Sequence, residues 1–341
     1  MKALLIMRPG GPDVLQLTDC PSPEPEMDEV RVRVHYAGIN FADIMARRGL
    51  YPDAPPLPAC MGYEFSGEVE KTGEGVKEFR EGDRVFGLSR FQGQAEQVVV
   101  SSQQLFHIPE FMSMDQAAAL PVNYLTAWVL LRVLGNLQAD ETVLIHNAGG
   151  GVGLAALDIA THVGARTLGT ASAHKHEFLS RRGCQHLIDY RAGDWEPEVL
   201  RLTGNAGVEL VMDPIGGRHL KKSYRVLRAT GRLGMFGIST AAEGSGGRLL
   251  GLLRMATGMP FFHPVSLMNG NRAVFGVNMG RLWHEPEKVR QWMGALLEGV
   301  REGWVRPHVD KVFVAGLAGE AHQWIEARRN LGKVLLDFRN A

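Results

Sequence analysis

The chain has 341 residues, of which 45% are hydrophobic and 22% are charged. This length predicts about two domains, and the composition excludes collagen-like, low-complexity and disordered chains. The 37 basic residues balance 37 acidic ones, so no net field gathers nucleic acid or an anionic membrane surface. We therefore expect no nucleic-acid partner.

The three cysteines, Cys20, Cys60 and Cys184, are scattered, which indicates neither a disulfide framework nor a metal cluster and fits a reducing cytosol. The apolar run from Ala3 to Met7 is too short for a signal peptide. No run reaches the roughly 18 apolar residues that span a bilayer. We expect a soluble, cytoplasmic protein.

The chain opens with short β-like runs separated by turn residues, as far as about Phe106. Val30–Val34 alternates apolar and polar residues, Gly67–Glu70 follows, and Gly82-Asp83 turns into Arg84–Phe86. This pattern predicts an all-β, barrel-like first part.

From about Met114 to Gly237, apolar strands alternate with helical stretches, which is typical of βαβ units in a parallel sheet. A further strand, a helix and a closing strand follow. The predicted elements are strands Thr142–His146, Arg166–Thr170, His186–Ile188, Leu210–Met212, Gly231–Phe236 and Ala273–Val277, a helix from about Pro286 to Gly299, and strand Val334–Leu336.

A glycine-rich turn separates the first of these strands from a helical run that begins at Leu154. Such glycines let the backbone turn tightly and approach a pyrophosphate, whose charge lies at the helix N-terminus. Glycine-rich turns also close strand–helix corners for steric reasons, but the surrounding βαβ series favours a dinucleotide site. We call this stretch the phosphate turn; it consists of Asn147, Ala148, Gly149, Gly150, Gly151, Val152 and Gly153.

The next strand ends where NAD-preferring folds place an acidic residue for the ribose 2′-hydroxyl, and no acid is there. Ser172 and Lys175 instead offer a hydroxyl and an ammonium, which suit the 2′-phosphate of NADPH. The alternative interpretation is that His174 and Lys175 are solvated residues that open the next helix.

Four stretches together resemble the zinc-independent quinone oxidoreductase branch of the medium-chain dehydrogenase/reductase superfamily. They are AGINFAD at 37–43, RGLYP at 48–52, GYEFSG at 62–67 and AGGGVG at 148–153. Within that branch, the runs at 169–172, 212–217, 271–276 and 332–336 are similar to the synaptic vesicle VAT-1-like subgroup. The resemblance covers essentially the whole chain.

The resemblance implies an α/β fold with a GroES-like β-barrel domain and a Rossmann domain built on a doubly wound parallel sheet. Residues 1–117 begin the GroES-like catalytic domain, 118–270 form the NADPH-binding Rossmann domain, and 271–341 form the Rossmann edge strand and the return to the catalytic domain. Ligands of this fold bind at the carboxyl ends of the strands, in the cleft between the domains.

The resemblance also implies positions for the cofactor NADPH. Thr126, Phe275 and Val277 are expected near the nicotinamide, and Tyr190 near the 2′-phosphate. The full set is Asn40, Thr126, Gly150, Gly151, Val152, Gly153, Ser172, Lys175, Tyr190, Gly237, Phe275, Val277 and Lys333.

Zinc-dependent relatives hold their catalytic metal with a thiolate, an imidazole and a further ligand. In the matching places this chain has Asn40 rather than Cys and Tyr63 rather than His. The four cysteines of the structural-zinc lobe are also missing, because no cysteine lies between Cys60 and Cys184. We therefore expect no metal.

Without a Lewis acid, the expected reaction is hydride donation to an already polarised acceptor, a quinone or an α,β-unsaturated carbonyl. By analogy with the family, Asn40, Tyr51 and Tyr63 donate hydrogen bonds to the oxygen that gains charge. Each has a structural alternative, since Asn40 can cap a helix, Tyr51 can pack in a loop, and Tyr63 can fill the volume of a zinc-ligating His. Asp43 either holds a neighbouring loop or touches a ligand.

Two other functions remain open. The first is a free-standing enoyl-thioester reductase. It is favoured by a resemblance to the enoyl reductase domains of polyketide synthases, which rests on the run Leu120–Ala127 and on the phosphate turn. A non-catalytic, NADPH-sensing or lipid-associated VAT-1-like protein is the rival from another class, because one fold hosts several functions.

The segment Gly247–Met268 is unusually apolar for a connection between domains. It can wall the substrate cleft, contact a second subunit, or lie in a membrane interface. Only two cations, Arg248 and Arg254, accompany it, so we favour the first two and keep membrane association as the minor alternative. Relatives pair the edge strand Ala273–Val277 across a two-fold axis, so we expect a homodimer.

Overall fold

The computed structural model describes residues 1–242, 259–282 and 284–341. The predictions for the first part of the apolar segment, residues 247–258, lie outside the described residues. In the ranges that are described, none of the helices combines the length and the apolar character needed to cross a bilayer.

The strands of the described residues follow the predicted order along the chain. They are β1 (Lys2–Ile6), β2 (Leu15–Asp19), β3 (Glu29–Ile39), β4 (Ala59–Cys60), β5 (Glu64–Thr72), β6 (Arg84–Leu88), β7 (Gln97–Ser101), β8 (Leu105–His107), β9 (Thr142–Ile145), β10 (Arg166–Thr170), β11 (His186–Ile188), β12 (Val208–Asp213), β13 (Leu227–Met235), β14 (Ala273–Gly276), β15 (Val309–Val314) and β16 (Lys333–Asp337).

The helices are concentrated in the middle of the chain. They are α1 (Phe41–Arg47), α2 (Met114–Ala118), α3 (Pro121–Trp128), α4 (Gly151–Val163), α5 (His176–Arg181), α6 (Trp195–Leu202), α7 (His219–Arg225), α8 (Pro264–Gly270), α9 (Pro286–Glu302) and α10 (Ala318–Glu326).

Contacts between residues divide the chain into two compact units. Unit 1 comprises 1–123, 279–295 and 307–341, and unit 2 comprises 124–278 and 296–306. The edge strand β14 therefore falls in unit 2.

Unit 1 is mainly β-structure. Its described residues form a sheet with the order β15-β16-β3-β5-β6-β8, in which β7 also pairs with β3, and a three-stranded sheet with the order β2-β1-β4. The alternation predicted in β3 places Val30, Val32 and Val34 in the core, each at most 1% exposed. Burial of alternate side chains fixes the register of this long strand, because a shift by one residue would expose all three.

Unit 2 contains a parallel sheet with the order β11-β10-β9-β12-β13-β14 among its described residues. Numbered along the chain within this unit, the order is 3-2-1-4-5-6, the doubly wound order of a Rossmann domain, with its reversal between β9 and β12. Both the predicted GroES-like plus Rossmann fold class and the parallel sheet are confirmed.

Several predicted bounds are too short. The strand predicted at Leu210–Met212 is β12, and the one predicted at Gly231–Phe236 begins at Leu227. The register of β12 against β13 shifts after Val208, and Thr230 has a φ of 69°, so an irregularity allows the strand to continue through Gly231. Sequence alternation is lost at such a bulge, which is why the first half of β13 was missed.

Candidate functional site

Most of the predicted cofactor residues follow strand ends at one edge of the unit 2 sheet. In the parallel register, Ile145 pairs with Gly169 and Met212, and Met235 pairs with Gly276. Because parallel strands end at the same edge, the residues just after these strands are brought together. They are the phosphate turn after β9, Ser172 after β10, Tyr190 after β11, Gly237 after β13 and Val277 after β14.

The phosphate turn is closed so tightly that glycine is required at its end. A Cβ atom on Gly153 would lie 2.4 Å from the carbonyl oxygen of Asn147 and 2.6 Å from that of Ala148. The helix α4 begins after Gly150, and its first backbone ladder bond runs from the amide of Leu154 to the carbonyl of Gly150. The N–H groups of the three residues between precede that ladder, so they are available to an anion.

The side chains predicted at the adenosine 2′-phosphate differ in exposure. Ser172 and Lys175 are 3% and 6% exposed, whereas His174 is exposed. The alternative that both basic residues are solvated therefore does not hold for Lys175. Tyr190 is half-buried, and the guanidinium carbon of Arg191 lies 5.9 Å from the centroid of its ring.

The residues predicted on the nicotinamide side come from different elements of unit 2. Thr126 is buried in α3, and a Cβ on Gly237 would lie 2.7 Å from the carbonyl oxygen of Pro214. Phe275 is half-buried in β14, and the amide of Val277 donates to the carbonyl of Met235. Gly237, Phe275 and Val277 therefore lie at the ends of the neighbouring strands β13 and β14.

In unit 1, Asn40 and Lys333 are joined by an acid that was not among the predicted site residues. Glu64 is fully buried, and its Oε1 accepts hydrogen bonds from Lys333 Nζ and, at 3.0 Å, from Asn40 Nδ2. Lys333 Nζ also donates to Asn40 Oδ1 at 2.7 Å. The other carboxylate oxygen of Glu64 accepts from the amide of Val122 at 2.7 Å, one residue into α3. The sequence offered one signal for this role of Glu64: it is a charged residue between two aromatic residues, Tyr63 and Phe65, in a run that was otherwise expected to be buried.

Asp43 has the loop-holding role that was one of its two predicted alternatives. Its Oδ2 accepts from the backbone amide of Asn40 at 2.8 Å and from Nε2 of Gln94 at 3.2 Å. Burial raises the pKa of Asp43 to about 7, although the bond from Asn40 and the charge of Lys333 oppose this shift. Asn40 is thus the N-cap residue of α1, in a capping box with Asp43, and its side-chain amide also bonds to Glu64 and Lys333.

Tyr51 and Tyr63, the predicted donors, lie in one apolar cluster of unit 1. Their ring centroids are 6.4 Å apart with the rings nearly perpendicular, and Tyr63 also packs against Phe91 at 5.4 Å. Burial raises the pKa of Tyr63 well above its ordinary value, so the phenol stays neutral and able to donate a hydrogen bond.

A buried polar cluster in unit 2 was also absent from the predictions. Asp213 Oδ2 lies 2.8 Å from Nδ1 of His219, and the two imidazole centroids of His146 and His219 are 4.4 Å apart. Burial lowers the pKa of His146 to about 3. Burial alone would raise the pKa of Asp213, but the hydrogen bond from His219 and the nearby imidazoles lower it well below its ordinary value. Asp213 and His219 are close in sequence, but His146 precedes them by a long stretch of chain, so spacing did not indicate the cluster.

The donor sets at Asn40 and Tyr63 do not suit zinc, because neither side chain is a nitrogen or sulfur ligand of the kind the metal prefers. In residues 1–242, 259–282 and 284–341, three His, Cys, Asp or Glu ligand atoms come within 4.8 Å of one another in the cluster of His146, Asp213 and His219.

Comparisons with known proteins agree with this geometry. A zinc-binding dehydrogenase family model matches residues 151–296, and an alcohol dehydrogenase GroES-like domain model matches residues 26–110. The chain is 39% identical to the human synaptic vesicle membrane protein VAT-1 homolog over 339 residues, which cover 98% of this chain and 86% of that protein.

Two solved structures share the whole architecture. Escherichia coli quinone oxidoreductase complexed with NADPH superposes with a TM-score of 0.87 at 29% identity, covering 99% of this chain and 100% of that one. The CurK enoyl reductase superposes with a TM-score of 0.84 at 27% identity, covering 98% of each chain. The predicted membership is confirmed: this chain belongs to the medium-chain dehydrogenase/reductase superfamily, among the VAT-1 homologues and quinone oxidoreductase-like proteins.

Proposed function

We propose that the protein is an NADPH-dependent, zinc-independent reductase that transfers a hydride to a quinone or an α,β-unsaturated carbonyl. The observation that carries the proposal is one edge of the unit 2 sheet. There the glycine turn follows β9, a buried serine and a buried lysine follow the neighbouring strand β10, and the predicted ribose position holds no acid.

The residues of unit 2 would bind and orient the cofactor. Backbone amides at Gly151, Val152 and Gly153 suit its pyrophosphate, and Ser172 with Lys175 suits its 2′-phosphate. Thr126, Tyr190, Gly237, Phe275 and Val277 are proposed as further contacts. When bound, NADPH supplies the hydride.

The residues of unit 1 would act on the acceptor. Tyr63 and Tyr51 carry phenols that donate to the oxygen on which negative charge develops, and Asn40 offers an amide N–H of the same kind. The carboxylate of Glu64 balances the positive charge of Lys333. We propose that Lys333 positions Asn40 and adds a contact to the cofactor, and that Glu64 positions both Asn40 and Lys333. The charge at this cluster is balanced without a metal.

The proposal is tested with a panel of quinones, enones and enoyl thioesters, in which loss of NADPH absorbance reports turnover. We expect turnover of quinones or enones. The likeness to the CurK enoyl reductase supports enoyl thioesters as the second candidate, and their preferential reduction would replace our proposal with it. NADPH binding with no turnover of any acceptor would favour the non-catalytic alternative.

Cofactor choice is tested separately by Lys175→Ala. Loss of a charge-assisted hydrogen bond costs about 1.5–3 kcal/mol, so we expect about 10–100-fold weaker NADPH binding and unchanged NADH binding. Lys221→Ala removes an exposed lysine of the same unit and serves as the control. Equal binding of NADH and NADPH by the wild type would contradict the roles of Ser172, Lys175 and Tyr190.

We propose in addition that the protein is a homodimer, joined at the β14 edge of unit 2, and that membrane association is a minor property. The support for the dimer is that β14 pairs with β13 on one side only among the described strands.

A further inference from the structure

The cluster of His146, Asp213 and His219 surrounds a single oxygen atom. Ser223 Oγ lies 2.6 Å from Asp213 Oδ2, 3.3 Å from His146 Nε2 and 3.4 Å from His219 Nδ1. Three ligand atoms of two types, imidazole nitrogen and carboxylate oxygen, therefore converge on one small central position. That position lies at the reversal of the sheet order, since His146 follows β9 and Asp213 ends β12.

Hydrogen bonds outside the cluster hold these ligand atoms in place. Nδ1 of His146 lies 3.0 Å from Thr170 Oγ1, which leaves Nε2 to face the centre. Oδ1 of Asp213 accepts from the amides of Ile215 at 2.7 Å and Gly216 at 3.1 Å, which leaves Oδ2 to face the centre. Metal ligands in proteins are oriented by outer partners of this kind.

We propose that this cluster is a binding site for Zn²⁺, with His146 Nε2, Asp213 Oδ2 and His219 Nδ1 as ligands. Zn²⁺ takes nitrogen and oxygen ligands in a tetrahedron, and bonds of about 2.1 Å place such ligands about 3.4 Å apart. The three atoms already lie within 4.8 Å of one another, so small side-chain movements bring them to that distance. Two imidazoles favour Zn²⁺ over Mg²⁺ or Ca²⁺, which prefer oxygen.

The hydroxyl of Ser223 is the group that competes with the ion. It bonds to Asp213 Oδ2, and rotation of this short side chain away from the centre opens the position for Zn²⁺. A water molecule completes the tetrahedron. The side chain of His219 is 16% exposed, whereas that of Asp213 is fully buried, so the ion would enter on the His219 side. The site is distinct from Asn40 and Tyr63 and does not depend on the proposed reductase activity.

The proposal is tested by titrating chelator-treated protein, prepared without a polyhistidine tag and without NADPH, with Co²⁺ and then Zn²⁺. We expect the intense visible absorption of four-coordinate Co²⁺, its loss on addition of Zn²⁺, and a rise in Tm with Zn²⁺, because an ion that binds only the folded state stabilises it. His219→Asn removes one of three protein ligands and should weaken binding at least about tenfold, since the loss of even an outer partner of a ligand costs that much. His162→Asn removes an exposed histidine of the same unit and should leave the titration unchanged.

A second variant keeps the test independent of folding defects. Ser223→Ala removes the competing hydroxyl and should tighten Co²⁺ binding, with circular dichroism confirming that the variant is folded. Absence of the visible band in the wild type, equal affinities in wild type and folded His219→Asn, or unchanged or weaker binding in Ser223→Ala would each overturn the proposal.

Discussion

Glu64 and Lys333 form an ion pair in which both side chains are at most 3% exposed. Two charges removed from water are tolerated only as a pair, because each lone ion would keep its full desolvation penalty. Asn40 bonds to both members, so the pair also fixes the orientation of the proposed donor. A substitution that removes either charge is therefore expected to lower the stability of the protein and to loosen the orientation of Asn40.

Glu64→Gln keeps the shape of the side chain and leaves Lys333 without its counter-charge. We expect a loss of about 3 kcal/mol in the free energy of unfolding, measured by urea denaturation. The double variant Glu64→Gln with Lys333→Met removes both charges and should recover most of that loss. If the double variant is as unstable as the sum of the two single variants, the pair is not coupled and this account is wrong.

Asp43 gives a second residue-scale prediction, which concerns pH. Burial raises its pKa from 3.8 to about 7, so the folded protein holds a proton that the unfolded chain releases. The contribution of Asp43 to stability is therefore complete below about pH 4 and decreases as the pH rises to about 7. Asp43→Asn removes this titration.

We accordingly expect Asp43→Asn to become more stable relative to the wild type as the pH rises from about 5 to about 8. Urea unfolding at several pH values measures the difference in the free energy of unfolding between the two proteins. The contributions of all other carboxylates are common to both and cancel in this difference. Asp19→Asn, at an exposed position in the same unit, should follow the wild type at every pH. A constant difference between Asp43→Asn and the wild type would show that Asp43 is ionised in the folded state.

At the scale of elements, the turn from β9 into α4 depends on a missing side chain at Gly153. A methyl group there would lie 2.4 Å from the carbonyl oxygen of Asn147, which is backbone and cannot rotate away. We expect Gly153→Ala to shift the first turn of α4, to lower stability by about 1–3 kcal/mol, and to weaken NADPH binding at least about tenfold.

Isothermal titration with NADPH and urea unfolding measure these two effects. Gly193→Ala is the matched control in unit 2, because a Cβ there meets no atom within 4 Å. Binding by Gly153→Ala at the wild-type affinity would contradict the proposed path of the pyrophosphate along this turn.

The elements of the parallel sheet could be predicted because each combines a short apolar run with a following helix. β9 and β10 were predicted to within one residue, since both are buried on two faces and read as short apolar runs. β13 was shortened because its alternation is interrupted near Thr230. Local patterns thus predict an element well until a bulge changes the face that each residue presents.

The candidate site was predictable only where a motif lies in one continuous stretch. The phosphate turn is such a stretch, whereas Glu64 and Lys333 are 269 residues apart in sequence and pair through β5, β3 and β16. His146 and Asp213 meet because β9 and β12 are neighbours at the reversal of the sheet. Spacing along the chain carries no information on which strands are adjacent, so these contacts required the structure.

At the scale of the whole molecule, one edge strand of each main sheet can be compared: β14 in unit 2 and β15 in unit 1. The edge strand β14 follows a stretch that exposes Phe261, Val265 and Met268, at 85%, 48% and 66%. No other described strand pairs with the outer edge of β14, and a free strand edge close in sequence to exposed apolar side chains favours association. The edge strand β15 of unit 1 also exposes apolar side chains, Val312 and Val314, but it carries the charged residues Asp310 and Lys311 as well, and such charges discourage pairing.

This difference predicts a homodimer that forms through β14. Light scattering coupled to size-exclusion chromatography should give twice the chain mass of 37.5 kDa. Ala273→Lys places an ammonium on the exposed start of β14, inside the proposed interface, where a lysine discourages pairing of strand edges, so we expect the mass of a monomer. Val312→Lys, on the exposed edge strand of unit 1, should remain dimeric. A dimer that survives Ala273→Lys but dissociates in Val312→Lys would move the interface from unit 2 to unit 1.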